Sequence, residues 1–325
     1  MNFRKAVLLC GLAVSTLSAA GFRIVARYPV PGDGSWDYLA VDSGERRLYV
    51  SHETQVDVLN ADTGELVGKI PDTKGVHGIA LAPVAGRGFT SNGQSDNATV
   101  FDIMILKTLG HVKTGKKPDF ILFEPATGRV FVFNGESGDA TVIDAATSEL
   151  VGRVELGGAP EAAAADATGL LYVNLEDKNA AAMVDARTLQ LTTTWPLAPC
   201  EAPASMGIDR KNFRLFIGCR NKMLAVVDAK TGHVITTLPI GDHVDGTAFD
   251  SQTGNIFSSN GDGTLTVIHQ DSADKYSVVE NVKTEPGAKT LALDPITHKV
   301  FLSVAKRQNG KVVPGTFTVL VVSNQ

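Results

Sequence analysis

Cysteine is scarce in this chain, with three in 325 residues, at Cys10, Cys200 and Cys219. No C-x-x-C, C-x-x-C-H, H-E-x-x-H or G-x-S-x-G stretch occurs, which removes thioredoxin-type redox, c-haem, zincin and routine serine-hydrolase chemistry from consideration. Helical periodicity is almost missing. No apolar run reaches the ~18 residues a membrane-spanning helix needs. Excess positive charge is lacking too: 30 Lys and Arg face 35 Asp and Glu, which argues against a nucleic-acid partner. One apparent phosphate loop, Gly110 to Lys117 (GHVKTGKK), ends in lysine where Ser or Thr should bind the metal, and it lies on a strand rather than before a helix.

The first twenty residues have their own grammar. Arg4 and Lys5 precede an apolar run from Ala6 to about Leu17, and the small residues Ser18 and Ala20 lead to Gly21. That order is an export signal, so residues 1–20 are expected to be removed and residues 21–325 to form one exported domain, periplasmic or secreted. Losing Arg4 and Lys5 takes the formal charge from −5 to −7. Cys200 and Cys219 would then be the only cysteines, in an oxidising compartment. Both are placed on one face of the fifth repeat, so a structural disulfide is expected, with a metal or redox role as the alternative.

The remainder repeats. Asp42, Ala82, Glu124, Asp166, Asp209, Asp250 and Asp294 open equivalent turns at intervals of 40 to 44 residues. A second series, Asn60, Asp102, Asp144, Asp185, Asp228 and His269, follows an apolar strand in each of the first six units. Four short strands per unit at this period spell propeller blades. The seventh unit stops after its third strand, "TFTVLVV", while "FRIVARYPV" precedes the first complete blade. The sequence therefore predicts an all-β, seven-bladed β-propeller whose ring is closed by an N-terminal strand completing the last blade, without edges that demand a partner and hence a monomer.

Phrases such as "RLYVSHETQVDVLNADTGELVGKI" and "VFVFNGESGDATVIDAATSELVGRVELGGAP" resemble the YVTN-type repeats of the YncE family, exported bacterial propellers. The resemblance spans nearly the whole mature chain. It implies the fold and is weak for chemistry, because such repeats are mostly strand and turn requirements.

One face of the ring has stereotyped turns ("PATGR", "SQTGN", "AKTGH") that serve local hydrogen bonding. The other varies, and there the innermost strands begin at Asp37, His77, Asp119, Glu161, Ala204, Asp245 and Lys289. Four carboxylates, an imidazole and an amine are thus expected around the channel mouth as a polar-ligand or cation site, or as mutually paired groups. A second ring at the ends of the second strands holds His52, Asn92, Asn134, Cys219 and Asn260. Three Asn-Gly pairs there read as hairpin turns with positive φ. Alternatively Asn92, Asn134 and Asn260, with Asp119, Glu161 and Asp245, would suit a hard divalent metal ion, as in gluconolactonase-like propellers, which this chain resembles in architecture only. His77 and His243 are the candidate general bases. Trp36 and Tyr38 flank Asp37, and the last blade carries a basic loop, "VAKRQNGKVVPG", that would overhang the same face.

The functional expectation is a binding or interaction scaffold for a small molecule, a metal ion or an exported protein partner. The alternative is a metal-dependent hydrolase or lyase of the lactonase type. Whether the chain is an enzyme stays open at this point.

Overall fold

The computed structural model describes residues 21–324, so the export-signal reading of residues 1–20 lies outside the described residues. Seven four-stranded antiparallel sheets form the blades of a ring. The innermost strands are Trp36–Asp42, Val76–Ala82, Pro118–Glu124, Pro160–Ala165, Pro203–Asp209, Val244–Asp250 and Leu291–Leu293. In blade seven the fourth strand is Arg23–Pro29, paired antiparallel with Thr318–Ser323, so the chain's first strand completes its last sheet. No helix among the described residues is long and apolar enough to cross a membrane.

Burial follows strand position. Second and third strands such as Arg129–Asn134 and Asp139–Asp144 are buried almost throughout, because both their faces meet neighbouring blades. Their near-continuous apolar lettering has that cause. Fourth strands such as Thr108–Lys113 alternate between half-buried and exposed, as an outer strand with one wet face should. The core is accordingly divided. Seven apolar clusters lie one at each blade junction, for example Phe131, Val142 and Val173 between blades three and four, or Leu48, Phe301 and Val319 between seven and one. Each fully buried Phe contributes about 2 to 3 kcal/mol by removal from water.

Blade two departs from the pattern in a way the packing explains. Its second strand has Gly88 where its neighbours carry Leu48 and Val130. A Cβ at Gly88 would lie 2.1 Å from the Phe101 ring, so the aromatic occupies the space a side chain would take.

The stereotyped turns are built as expected. Asn60, Asp102, Asp144, Asp185 and Asp228 each accept backbone N–H bonds from the residues two and three ahead. The Asn-Gly pairs are not what the sequence suggested. Neither the Asn nor the Gly of 92–93, 134–135 or 260–261 adopts positive φ. In the loop from Asn134 to Asp139 the left-handed residue is Gly138. Gly93 is instead required by close approach, since a Cβ there would sit 2.8 Å from the His77 ring of its own blade.

The basic loop of blade seven forms a small hairpin, Arg307–Gln308 with Lys311–Val312. It folds toward blade one, with the Arg307 guanidinium 5.1 Å from the centre of the Trp36 ring and the Gly315 N–H donating to Asp33. Trp36 in turn stacks on Phe317 at 5.8 Å. Among the described residues no ion pair joins Lys306, Arg307 or Lys311 to an acidic group of the channel mouth.

Candidate functional site at the channel mouth

Asp37, His77, Asp119, Glu161, Ala204 and Asp245 are each the second residue of an innermost strand, and Lys289 stands just before the seventh. In blades one to six the pairing with the second strand slips at this point, between Trp36 and Leu39, Val76 and Ile79, Pro118 and Ile121, Pro160 and Ala163, Pro203 and Ser205, and Val244 and Gly246. Six β-bulges therefore stand at equivalent places in six blades. A bulge turns a side chain out of its sheet alternation, and here it presents the ring residues at the mouth.

Small hydroxyls fix those bulges. The Ser51 hydroxyl accepts the Asp37 N–H at 2.8 Å, and Ser91 accepts the Gly78 N–H while donating to the Asp119 carbonyl of the next blade. Ser259 donates to the Lys289 carbonyl at 2.5 Å, and Ser303 and Thr290 donate to the Asp37 carbonyl at 2.9 and 2.7 Å. The serines stand one residue before the second ring in "VSH", "TSN" and "SSN", a recurrence visible in the sequence but overlooked there.

The mouth separates into two arcs. In one, the Lys289 ammonium is bonded to Asp245, and Arg220 lies 3.1 Å from Glu161, 2.6 Å from Glu176 and 3.6 Å from Asp245. Arg220 went unnoticed in the sequence. It fills the sector where blade five offers only Ala204, and its signal was that gap beside Cys219. In the other arc, His77 Nδ1 is 2.6 Å from Asp37 Oδ2 and 3.6 Å from Asp119 Oδ1. Lys289 comes within 4.0 Å of Asp37 Oδ1, beyond hydrogen-bond reach.

Charge crowding shows in the titration of these groups. Burial, then the charge of Asp37, pushes the Asp119 carboxyl up to about 6. Burial, then Asp119 and Asp245, pushes Glu161 up to about 8 against the opposing pull of Arg220. Asp245 is also raised by burial although Lys289 opposes it. His77 is lowered by burial but raised more by the Asp37 hydrogen bond and the Asp119 and Asp37 charges, with a net upward shift. Burial and the surrounding carboxylates hold the Tyr38 phenol protonated, well above its ordinary value. One oxygen each of Asp37 and Asp245 is buried with no hydrogen-bond donor among the described residues.

Beneath the ring the channel narrows to a cavity of about 190 Å³ lined by Tyr38, Phe120, Met206, Asp245 and Thr247 among others. Tyr38 meets Phe120 edge-on at 5.3 Å. Pockets for drug-sized ligands run to ~300 Å³ and above, so this space suits an ion or a molecule of few atoms.

The remaining expected residues stand apart. His243 is 73% exposed, in a left-handed backbone conformation, with Nδ1 3.2 Å from Asp242 of its own loop, and so outside the His77 cluster. Asn92, Asn134 and Asn260 are buried and do not meet the carboxylates of the ring. Their amides donate to Asn97 and Thr99, to Asp139 and Thr141, and to Thr264 and Thr266 of the adjoining strands. His52 is likewise spent within blade one, on Asp57 at 2.6 Å and the Asp33 carbonyl at 3.1 Å.

Cys200 and Cys219 form a disulfide, with Cα atoms 5.5 Å apart. Both are buried. The next residue is Arg220, whose N–H donates to the Glu201 and Ala202 carbonyls at 3.0 and 3.1 Å. The bridge therefore anchors the backbone from which the Arg220 guanidinium reaches into the ring.

No family model matches this chain, and no curated protein matches it. Among solved structures it is similar to a chain of Kuenenia stuttgartiensis hydrazine synthase, with a TM-score of 0.72 and 15% identity over 88% of this chain and 96% of that one. At that identity the likeness shows the fold alone. With 1818 solved chains matching, the scaffold selects no chemistry by itself.

Proposed function

We propose that this chain is an exported propeller of the YncE type that binds a small cationic ligand at its channel mouth. The observation that carries the reading is the shortage of donors there. Asp37, Asp119, Glu161 and Asp245 converge with two fixed cations, and Asp37 and Asp245 each keep a buried oxygen without a donor. Converging carboxylates are costly unless a cation or shared protons offset them, so a bound cation is favoured. Export is supported by the disulfide and by the signal-like first twenty residues. Calorimetry on residues 21–325 with Mn²⁺, Zn²⁺ and 1,3-diaminopropane tests the reading. Uptake of any of them that is weakened in Asp37→Asn or Asp245→Asn supports it; no uptake of all three overturns it.

A metal-dependent hydrolase or lyase of the lactonase type is the second reading. Glu161 favours it, as a carboxylic acid pushed up to about 8 in the same mouth and able to hold a proton for donation at neutral pH. Lactone turnover that needs a divalent metal and disappears in Glu161→Gln would establish it. Absence of turnover with metal supplied would dismiss it.

A further inference from the structure

The division of the mouth into two arcs says more than that a cation binds. We infer that the Asp37, His77 and Asp119 arc is a site for a divalent metal of the Zn²⁺ and Mn²⁺ class, a conclusion that rests on the channel-mouth reading above. Glu161 and Asp245 already have Arg220 and Lys289 as permanent counter-ions. Asp37 and Asp119 share the imidazole, with the Lys289 ammonium no nearer than 4.0 Å to Asp37, and the imidazole becomes a ligand when it gives up its proton.

The geometry is that of a ligand set. One donor atom from each of the three residues lies within 4.8 Å of the others, a spread that an ion with bonds of about 2.0 to 2.2 Å draws in by small side-chain shifts. The three come from successive blades on equivalent bulges. Ser51, Ser91 and Ser303 hold the backbone at Asp37 and Asp119, so the site is arranged before the ion arrives.

A second observation is independent of this clustering and lies in the same arc: Asp37 Oδ1 is buried with no hydrogen-bond donor among the described residues, the Lys289 ammonium being 4.0 Å away. One imidazole nitrogen with two carboxylates suits a borderline metal with positions left open, whereas Ca²⁺ takes about 6 to 8 oxygen ligands.

The test uses residues 21–325 with the disulfide intact. Equilibrium dialysis against Mn²⁺ and, separately, Zn²⁺ should give one ion per chain. Asp37→Asn and Asp119→Asn should each weaken uptake by at least about tenfold, the lower end of the range seen when even a ligand's supporting partner is removed. Asp144→Ala, in a turn of the opposite face, should leave it within a few-fold. Should the Asp variants fail to fold, the unmodified protein still decides the matter. Bound Mn²⁺ should broaden the His77 imidazole resonances far more than those of His111, on an outer strand, and His298, on the opposite face, and absence of that difference overturns the site. Diamine uptake without metal uptake overturns this inference and leaves cation binding standing. Loss of metal uptake in Glu161→Gln but not in Asp37→Asn places the ion in the other arc and overturns it too, and failure of diamine and both metals to bind overturns both readings.

Discussion

Asp294 and Asp119 are the same side chain on opposite faces of one propeller, and their surroundings drive them in opposite directions. At Asp294, burial works to raise the carboxyl. Hydrogen bonds from Thr297, Ser43, Arg46 and the Ile296 N–H outweigh it and bring the group to about 2. At Asp119, burial meets further carboxylates instead of donors, and the group rises to about 6. The contrast extends to the faces themselves. On the stereotyped face, Asx-type turns supply N–H groups to five of the six second-series anchors, and Arg47 and Arg129 donate to carbonyls of the neighbouring blade. At the mouth, Asp37 and Asp245 each keep a buried oxygen without a hydrogen-bond donor among the described residues. A buried acid with donors holds a fold together; one without them waits for something else.

Removing one cation from each face is the sharpest way to break this comparison. Lys289→Met leaves Asp245 buried without its bonded partner and should cost about 3 to 5 kcal/mol near neutral pH. Arg46→Met removes charge-assisted bonds to Asp294 and Asp62 but leaves Asp294 its donors from Thr297 and the Ile296 N–H, and should cost about 2 kcal/mol. Urea unfolding of both variants measures the difference; equal losses would end the distinction between the faces.

Next in size is the disulfide. Replacing Cys200 and Cys219 together by Ser opens a loop with a sequence separation of 19 and should lower stability by ~3 kcal/mol. Because Arg220 follows Cys219, the same variant should also alter the Glu161 titration. A stability loss with that titration unchanged would show that the bridge serves the fold and not the mouth.

Glu161→Gln sharpens the comparison through pH. The carboxyl is raised from 4.5 to about 8 in the folded chain, so the native state holds a proton that the unfolded chain releases. Its contribution is fully present below 4.5 and is lost as pH rises toward 8. The Gln variant lacks that loss, and its advantage in unfolding free energy should grow across this window to on the order of a few kcal/mol. Asp294 runs the other way: its stabilisation is present above 3.8 and disappears as pH falls toward 2. A Gln variant whose advantage stays flat with pH would contradict the crowding at the mouth.

The smallest effect belongs to a single turn. Asp144→Ala removes the acceptor for the Ala146 and Thr147 N–H groups, costs about 1 kcal/mol, and should leave cation uptake untouched. Reduced uptake would mean that the two faces are coupled.

The fold was legible because its punctuation is chemical. Asp144 and Asp228 recur where a turn needs an acceptor for two N–H groups, and that periodicity carries seven blades without help from distant contacts. The ring was legible for a similar reason, since bulges at constant register put Asp37, His77 and Asp119 at countable positions. Arg220 was not. It enters from the end of a second strand and crosses to another blade, and spacing along a chain does not report how far a guanidinium reaches. Asn92, Asn134 and Asn260 were singled out correctly as unusual but read for the wrong property. Their amides clasp adjoining strands, which only the register of those strands reveals.

Ring closure has a mechanical consequence. Arg23 pairs with Ser323, and the pairing runs antiparallel to Pro29 against Thr318, so both ends of the chain leave the closing sheet at the same corner. Tension between them loads the backbone bonds one after another, as in opening a zipper, instead of all at once. The seam that seals the ring is therefore its weakest direction under pulling, and a tether attached at both ends should peel off Arg23–Pro29 before any other strand gives way.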